Sequence, residues 1–218
     1  MVLDHQLATV FSYAIGEYEE PTRDLRPCRG KASLVRFADD FIACFQDEKD
    51  AQRFLIELRK RLADFNLEVE PSKTAVIRFG SQTERQCGQK GQGRPQTFNF
   101  LGFTHYVTRS HSGRFEVGRK TEGKRIRRKL KEVKVRLMLL RTQSGKAMKD
   151  YIKQHLQGHI QYYGVSGNTR SLKVNVQNIG KMLFKWLNRR SQLRSVKWEK
   201  YSKWVKTFFP PIRIIHNL

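Results

Sequence analysis

The chain has 218 residues, enough to bury a core in one or two domains, and a formal net charge of +23. No apolar run approaches the roughly 18 residues of a membrane span, and the N-terminus lacks the basic, apolar, small-residue order of a signal peptide. Cys28, Cys44 and Cys87 are an odd set without CxxC spacing, which argues against a disulfide framework or zinc site and suits a reducing cytoplasm.

Residues 3–18 place Leu3, Leu7, Val10, Phe11, Ala14, Ile15 and Tyr18 on one face at helical spacing and predict a core-packing helix. Residues 19–33, with Pro21, Pro27 and Gly30, read as a loop. The stretch 34–45 follows. Its two β-prone runs, LVRF and FIACF, flank an acidic tip, Asp39-Asp40, and predict a tight hairpin. Read alone, the acidic pair is first a solvated turn, since Asp is a common turn residue. Adjacent carboxylates also suit Mg²⁺, which binds one or two of them together with substrate phosphates.

Asp47 is a candidate N-cap for a helix whose apolar face is Ala51, Phe54, Leu55, Leu58, Leu62 and Phe65. Pro71 separates it from a strand over Thr74–Phe79. Residues 80–95, rich in Gly and Gln, read as a mobile loop. In Thr97–Val107 the alternation changes phase at Leu101-Gly102, which predicts a bulge. Ser110–Gly113 is a turn, with Arg114–Val117 pairing back.

From residue 123 the period becomes helical. Ile126, Leu130, Val133, Leu137 and Leu140 share a face, while Arg125, Arg127, Arg128, Lys129, Lys131, Lys134 and Arg136 mostly face out. A second helix from Gly145 turns Met148, Ile152, Leu156 and Tyr163 inward. A third, over 169–188, uses Leu172, Val176, Ile179, Leu183 and Trp186; a shorter fourth runs through Trp198, Tyr201, Val205 and Phe208 to Pro210-Pro211. Together they predict a small helical bundle.

Charge is unevenly distributed. Residues 1–105 hold 15 Lys/Arg and 15 Asp/Glu, whereas residues 106–218 hold 28 and 5. All of the excess lies in the helical half, an electrostatic footprint for nucleic acid. Aromatic residues recur among these charges without one clean lipid-facing stripe, so a membrane-surface helix fits less well.

Four ordered blocks carry a family resemblance: Phe37-Ala38-Asp39-Asp40; Asn66 to Thr74 (NLEVEPSKT); Phe98 to Phe103 (FNFLGF); and Gly158 to Val165 (GHIQYYGV) with Phe184 to Ser191 (FKWLNRRS). The first resembles the Asp-Asp box in the palm of reverse transcriptases, especially group II intron reverse transcriptase–maturases. The next two look like the following palm block and the primer grip. The tail looks like the maturase, or thumb, region. The resemblance implies an α+β fold, a partial palm over 1–120 followed by a basic all-α thumb or maturase domain over 121–218.

The resemblance also implies an activity and its residues. RNA-directed DNA polymerisation would use two Mg²⁺ ions, with Asp39 bridging toward both and Asp40 assisting. Lys73 would serve the leaving pyrophosphate, against a reading as an exposed turn lysine. Leu101 and Gly102 would form the primer grip, against a reading as an ordinary bulge. Lys185, Arg189 and Arg190 join the basic residues of the preceding helix as RNA contacts. The implied partners are structured intron RNA in splicing, an RNA template with a DNA primer, and dNTP, in a mobile element of a bacterial cytoplasm, associated with the nucleoid.

The sequence departs from the family upstream. A palm needs a further metal-binding Asp on an earlier strand, and only Asp4 and Asp24 precede Asp39, neither in a hydrophobic strand setting. The fingers and their dNTP-contacting basic residues are also absent. The expectation is a C-terminal fragment that begins just before the hairpin and is inactive alone, with a separately encoded N-terminal half as a partner. The alternatives are a non-catalytic intron-RNA-binding module with a palm remnant, and a DNA-binding accessory protein.

Overall fold

A computed structural model of the chain describes residues 7–12, 28–38, 40–190 and 196–217. It divides into two compact units, Met1–Gly118 and Arg119–Leu218.

The first unit opens with strand β1 (Leu7–Ser12), not the expected helix. It is an interior strand, paired antiparallel with β3 (Asp40–Phe45) on one side and β4 (Ala75–Arg78) on the other. Leu7, Val10 and Phe11 mimic helical spacing, but the run LATVFS is short and apolar, as suits a strand with neighbours on both edges. β2 (Ala32–Phe37) completes the four-stranded sheet in the order β2-β3-β1-β4. Asp4 and Asp24 lie outside the described residues.

β3 sorts its side chains by period two. Ala43 and Phe45, with Phe41 beside them, pack with Ala51, Phe54 and Leu62 of helix α1 (Glu48–Ala63). Ile42 and Cys44 turn to the opposite face, among Ile77, Phe79, Phe98, Phe100, Val107, Phe115 and Val117. Most of those partners belong to a second sheet of β5 (Phe98–Phe100), β6 (Phe103–Arg109) and β7 (Phe115–Thr121). The four-stranded sheet is thus covered by a helix on one face and a sheet on the other. Burial pushes the Cys44 thiol up, as befits a core cysteine.

The expected N-cap of α1 forms, with Asp47 Oδ1 accepting from the Lys49 N–H at 2.7 Å. The turn that follows the helix reaches Asn66, left-handed at φ 56°, and the Leu67 N–H bonds back to the Leu62 carbonyl at 3.0 Å. Phe65, expected on the apolar face, is 51% exposed, with Arg61 over its ring. A single 3-10 turn, Pro71–Lys73, then leads to β4. Within the expected loop 80–95 the structure forms a helix, α2 (Thr83–Gln89). Only Thr83 of this helix is buried, so no apolar period announced it.

The second unit holds α3 (Gly123–Leu140), α4 (Gly145–Tyr163), α5 (Thr169–Asn188) and α6 (Trp198–Phe208). Val133, Leu137, Met148, Ile152, Leu156, Ile179 and Leu183 are fully shielded at its centre. These are the positions that the helical period marked. Truncating one such leucine to alanine costs about 2–5 kcal/mol. Ser144 caps α4, its Oγ accepting from the Ala147 N–H at 2.9 Å. Tyr201 of α6 ties to α5 by donating to the Gly180 carbonyl at 2.6 Å.

Candidate active-site hairpin and basic helices

β2 and β3 are joined by two residues, Ala38 and Asp39, because Phe37 pairs with Asp40. Two-residue hairpins favour left-handed conformations at their tips, and Ala38 has φ 53°. The Arg36 Nε donates to the Ala38 carbonyl at 3.0 Å and braces the turn. Asp39 lies outside the described residues. Asp40 is half-buried as the first residue of β3. It shares the parity of Ile42 and Cys44, so it lies on the face turned to the three-stranded sheet.

Across the neighbouring strand the register sets Ser12 opposite Asp40 and Phe11 opposite Phe41. The neighbour of β3 is thus a strand where a helix was expected, and Leu7–Ser12 contains no carboxylate. No group of three or more His, Cys, Asp and Glu side chains able to hold a metal occurs among the described residues.

Lys73 ends the 3-10 turn, exposed, with no ion pair among the described residues. Leu101 and Gly102 do not make a bulge. They are a two-residue turn from β5 to β6, with Phe100 paired to Phe103 and left-handed φ values of 50° and 78°. Gly102 is buried. Between β4 and α2, a polar cavity of about 460 Å³ is lined by residues including Arg78, Cys87, Lys90 and Arg94, a feature that the loop reading missed.

On α3, Arg125, Arg127, Arg128, Lys129, Lys131, Lys134 and Arg136 are all exposed. Arg125 pairs with Glu122 at 3.3 Å, and Arg128 and Lys129 share Glu132 at 3.7 and 2.8 Å. That contact with Lys129 is the main reason the Glu132 carboxyl is held below its ordinary range. The other four have no ion pair among the described residues. Lys185, Arg189 and Arg190 are exposed at the end of α5 and just beyond it.

Residues 8–105 match the model of the reverse transcriptase (RNA-dependent DNA polymerase) family. The reverse transcriptase match runs from β1 into β6 and takes in Asp39, Asp40, Lys73, Leu101 and Gly102. It points to an RNA-directed DNA polymerase-like function for this stretch, and it ends before the basic helices. No curated protein matches the chain.

Proposed function

We propose that the chain is a group II intron reverse transcriptase–maturase polypeptide, with a palm hairpin in the first unit and RNA-binding helices of thumb or maturase type in the second. The observation that carries the reading is the Phe37–Asp40 register, which makes a tight hairpin with Asp40 opening its second strand, inside the stretch that matches the reverse transcriptase family model. In this reading Asp39 and Asp40 would hold Mg²⁺, which would supply charge neutralisation at phosphate and activation of an attacking hydroxyl. Lys73 holds the leaving pyrophosphate, and the Leu101-Gly102 turn brings its backbone against the primer.

The ligand set asks for one more carboxylate than Asp39, Asp40 and β1 provide. The proposal therefore includes a separately encoded N-terminal half as a partner. Primer extension on an RNA template with Mg²⁺ and dNTP tests this, with the chain alone and with an N-terminal reverse-transcriptase half supplied. Extension only in the mixture, lost in Asp39→Ala, is the expected result. Robust extension by the chain alone would overturn the need for a partner.

A second reading, a non-catalytic intron-RNA-binding module, is favoured by the carboxylate-free β1. It predicts splicing assistance with no extension in either mixture.

A further inference from the structure

The second unit gathers three guanidinium groups at one end. Trp186, near the end of α5 and only 5% exposed, offers its ring to two of them. The Arg141 and Arg189 Cζ atoms lie 6.0 and 5.1 Å from its centroid. Arg141 follows the last residue of α3, and Arg189 the last residue of α5. The third, Arg190, donates from Nε to the Arg141 carbonyl at 3.1 Å. Its Nη1 occupies space over Gly145, where a β-carbon would come within 2.7 Å. The chain beyond is tied back because the Asn188 amide both donates to and accepts from the Val196 backbone at 3.0 Å.

A cation at a helix C-terminus has a structural use, since it complements the helix dipole. That accounts for Arg141 and Arg189. It does not account for Arg190, which lies against the first turn of α4, a turn without an acidic residue. All three arginines are exposed, and none has an ion-pair partner among the described residues. Like charges fixed together by a ring and a carbonyl repel unless an anion joins them. Guanidinium forks held in place match phosphate oxygens bidentately and lose little freedom on binding.

We propose that Arg141, Arg189 and Arg190 form a preorganised clamp for backbone phosphates of structured RNA, and that this end of the unit, rather than the outer stripe of α3, anchors the RNA. The inference rests on the RNA-binding reading above and assigns its anchoring site. On α3 the cations are long, solvated and partly neutralised by Glu122 and Glu132.

The test measures affinity of the full chain for a folded stem-loop RNA over a KCl series. The Arg189→Gln/Arg190→Gln double variant should lose about tenfold or more in affinity and about two units of salt slope. The charge-matched Arg127→Gln/Lys131→Gln variant should lose about threefold or less. Arg189→Lys/Arg190→Lys keeps the charge but not the forks, and should fall between them with its circular dichroism unchanged. Equal losses in the two Gln variants, or wild-type affinity in the Lys variant, would overturn the clamp while leaving RNA binding intact. If the wild-type chain shows no salt-dependent RNA binding, or prefers duplex DNA of equal length, the RNA reading itself fails.

Discussion

Asn168 answers Thr121 with both ends of its amide. Its Oδ1 accepts from the Thr121 N–H at 2.8 Å, and its Nδ2 donates to the Thr121 hydroxyl at 2.9 Å. The same Nδ2 donates to the Tyr163 carbonyl at 2.9 Å. Asn168 is fully buried, so within the second unit the group joins Thr121, the end of α4 and the start of α5 without help from solvent. Asn168→Ala would leave buried donors and acceptors unpaired. It should destabilise the chain by about 2–4 kcal/mol in urea unfolding. Asn168→Asp should destabilise it too, because it deletes both donated bonds and buries a carboxylate.

His159 should make stability depend on pH. Its ring stacks at 6.5 Å on His155 and lies 4.6 Å from Tyr163, and its Nε2 is buried without a partner. Burial first, then the charge of His155, pushes it from 6.5 down to about 4. Lys129 and Glu132 act on the neighbouring His155. Between these values the unfolded chain binds a proton that the folded chain refuses. Stability is therefore full above about pH 6.5 and declines as pH falls toward 4, by up to about 3 kcal/mol. Thermal melts across this window should show the decline in wild type and a shallower one in His159→Leu. Parallel curves would assign the slope to other groups.

The carboxylates of the hairpin should separate by role in the complemented enzyme. Asp39→Asn keeps size and hydrogen bonding but removes charge, and should lower the extension rate about a hundredfold or more while RNA affinity stays within about twofold. Asp40→Asn should lose less. Lys73→Ala should fall between them if Lys73 serves the leaving group, and be near neutral otherwise. Single-turnover rates at saturating RNA and primer decide. A wild-type rate in Asp39→Asn would reduce the pair to a turn.

The β5–β6 turn should tolerate little change at its second position. Gly102 is left-handed at φ 78° and buried, so Gly102→Val should cost about 1–2 kcal/mol in urea unfolding from the backbone alone. Gly113 has nearly the same φ, 76°, with nothing within 4 Å of a built β-carbon. Gly113→Val should therefore cost less than Gly102→Val, and equal costs would mean that conformation rather than burial sets the penalty.

Helical periodicity made α1 and α3 to α6 legible because each buries one stripe, such as Val133, Leu137 and Leu140. β1 was misread because Leu7, Val10 and Phe11 fall at helical spacing inside a run too short to arbitrate. α2 gave no signal because its exposed glutamines and glycine have no period. At Leu101-Gly102 the phase change was real, but a two-residue turn and a bulge produce the same break in alternation. The hairpin was legible from its two β-prone runs. The absence of a carboxylate in β1 was in the sequence too, hidden by the helical reading. The clamp was not legible, since Arg141 and Arg190 meet across 49 positions through a backbone carbonyl.

The two-sided burial of β3 has a consequence for how the gene can change in length. Ala43 and Phe45 serve one core while Ile42 and Cys44 serve the other, so the strand has no idle face. Deleting or inserting one codon between Phe41 and Phe45 would exchange the two sets in a single step and shift Asp40 against Ser12. Tolerated insertions and deletions should instead collect in the exposed stretch from Lys90 to Arg94, where no ladder fixes the count. A library of single-codon insertions and deletions, sorted for soluble protein, should show a sharp trough over residues 40–45 beside a plateau over residues 90–94.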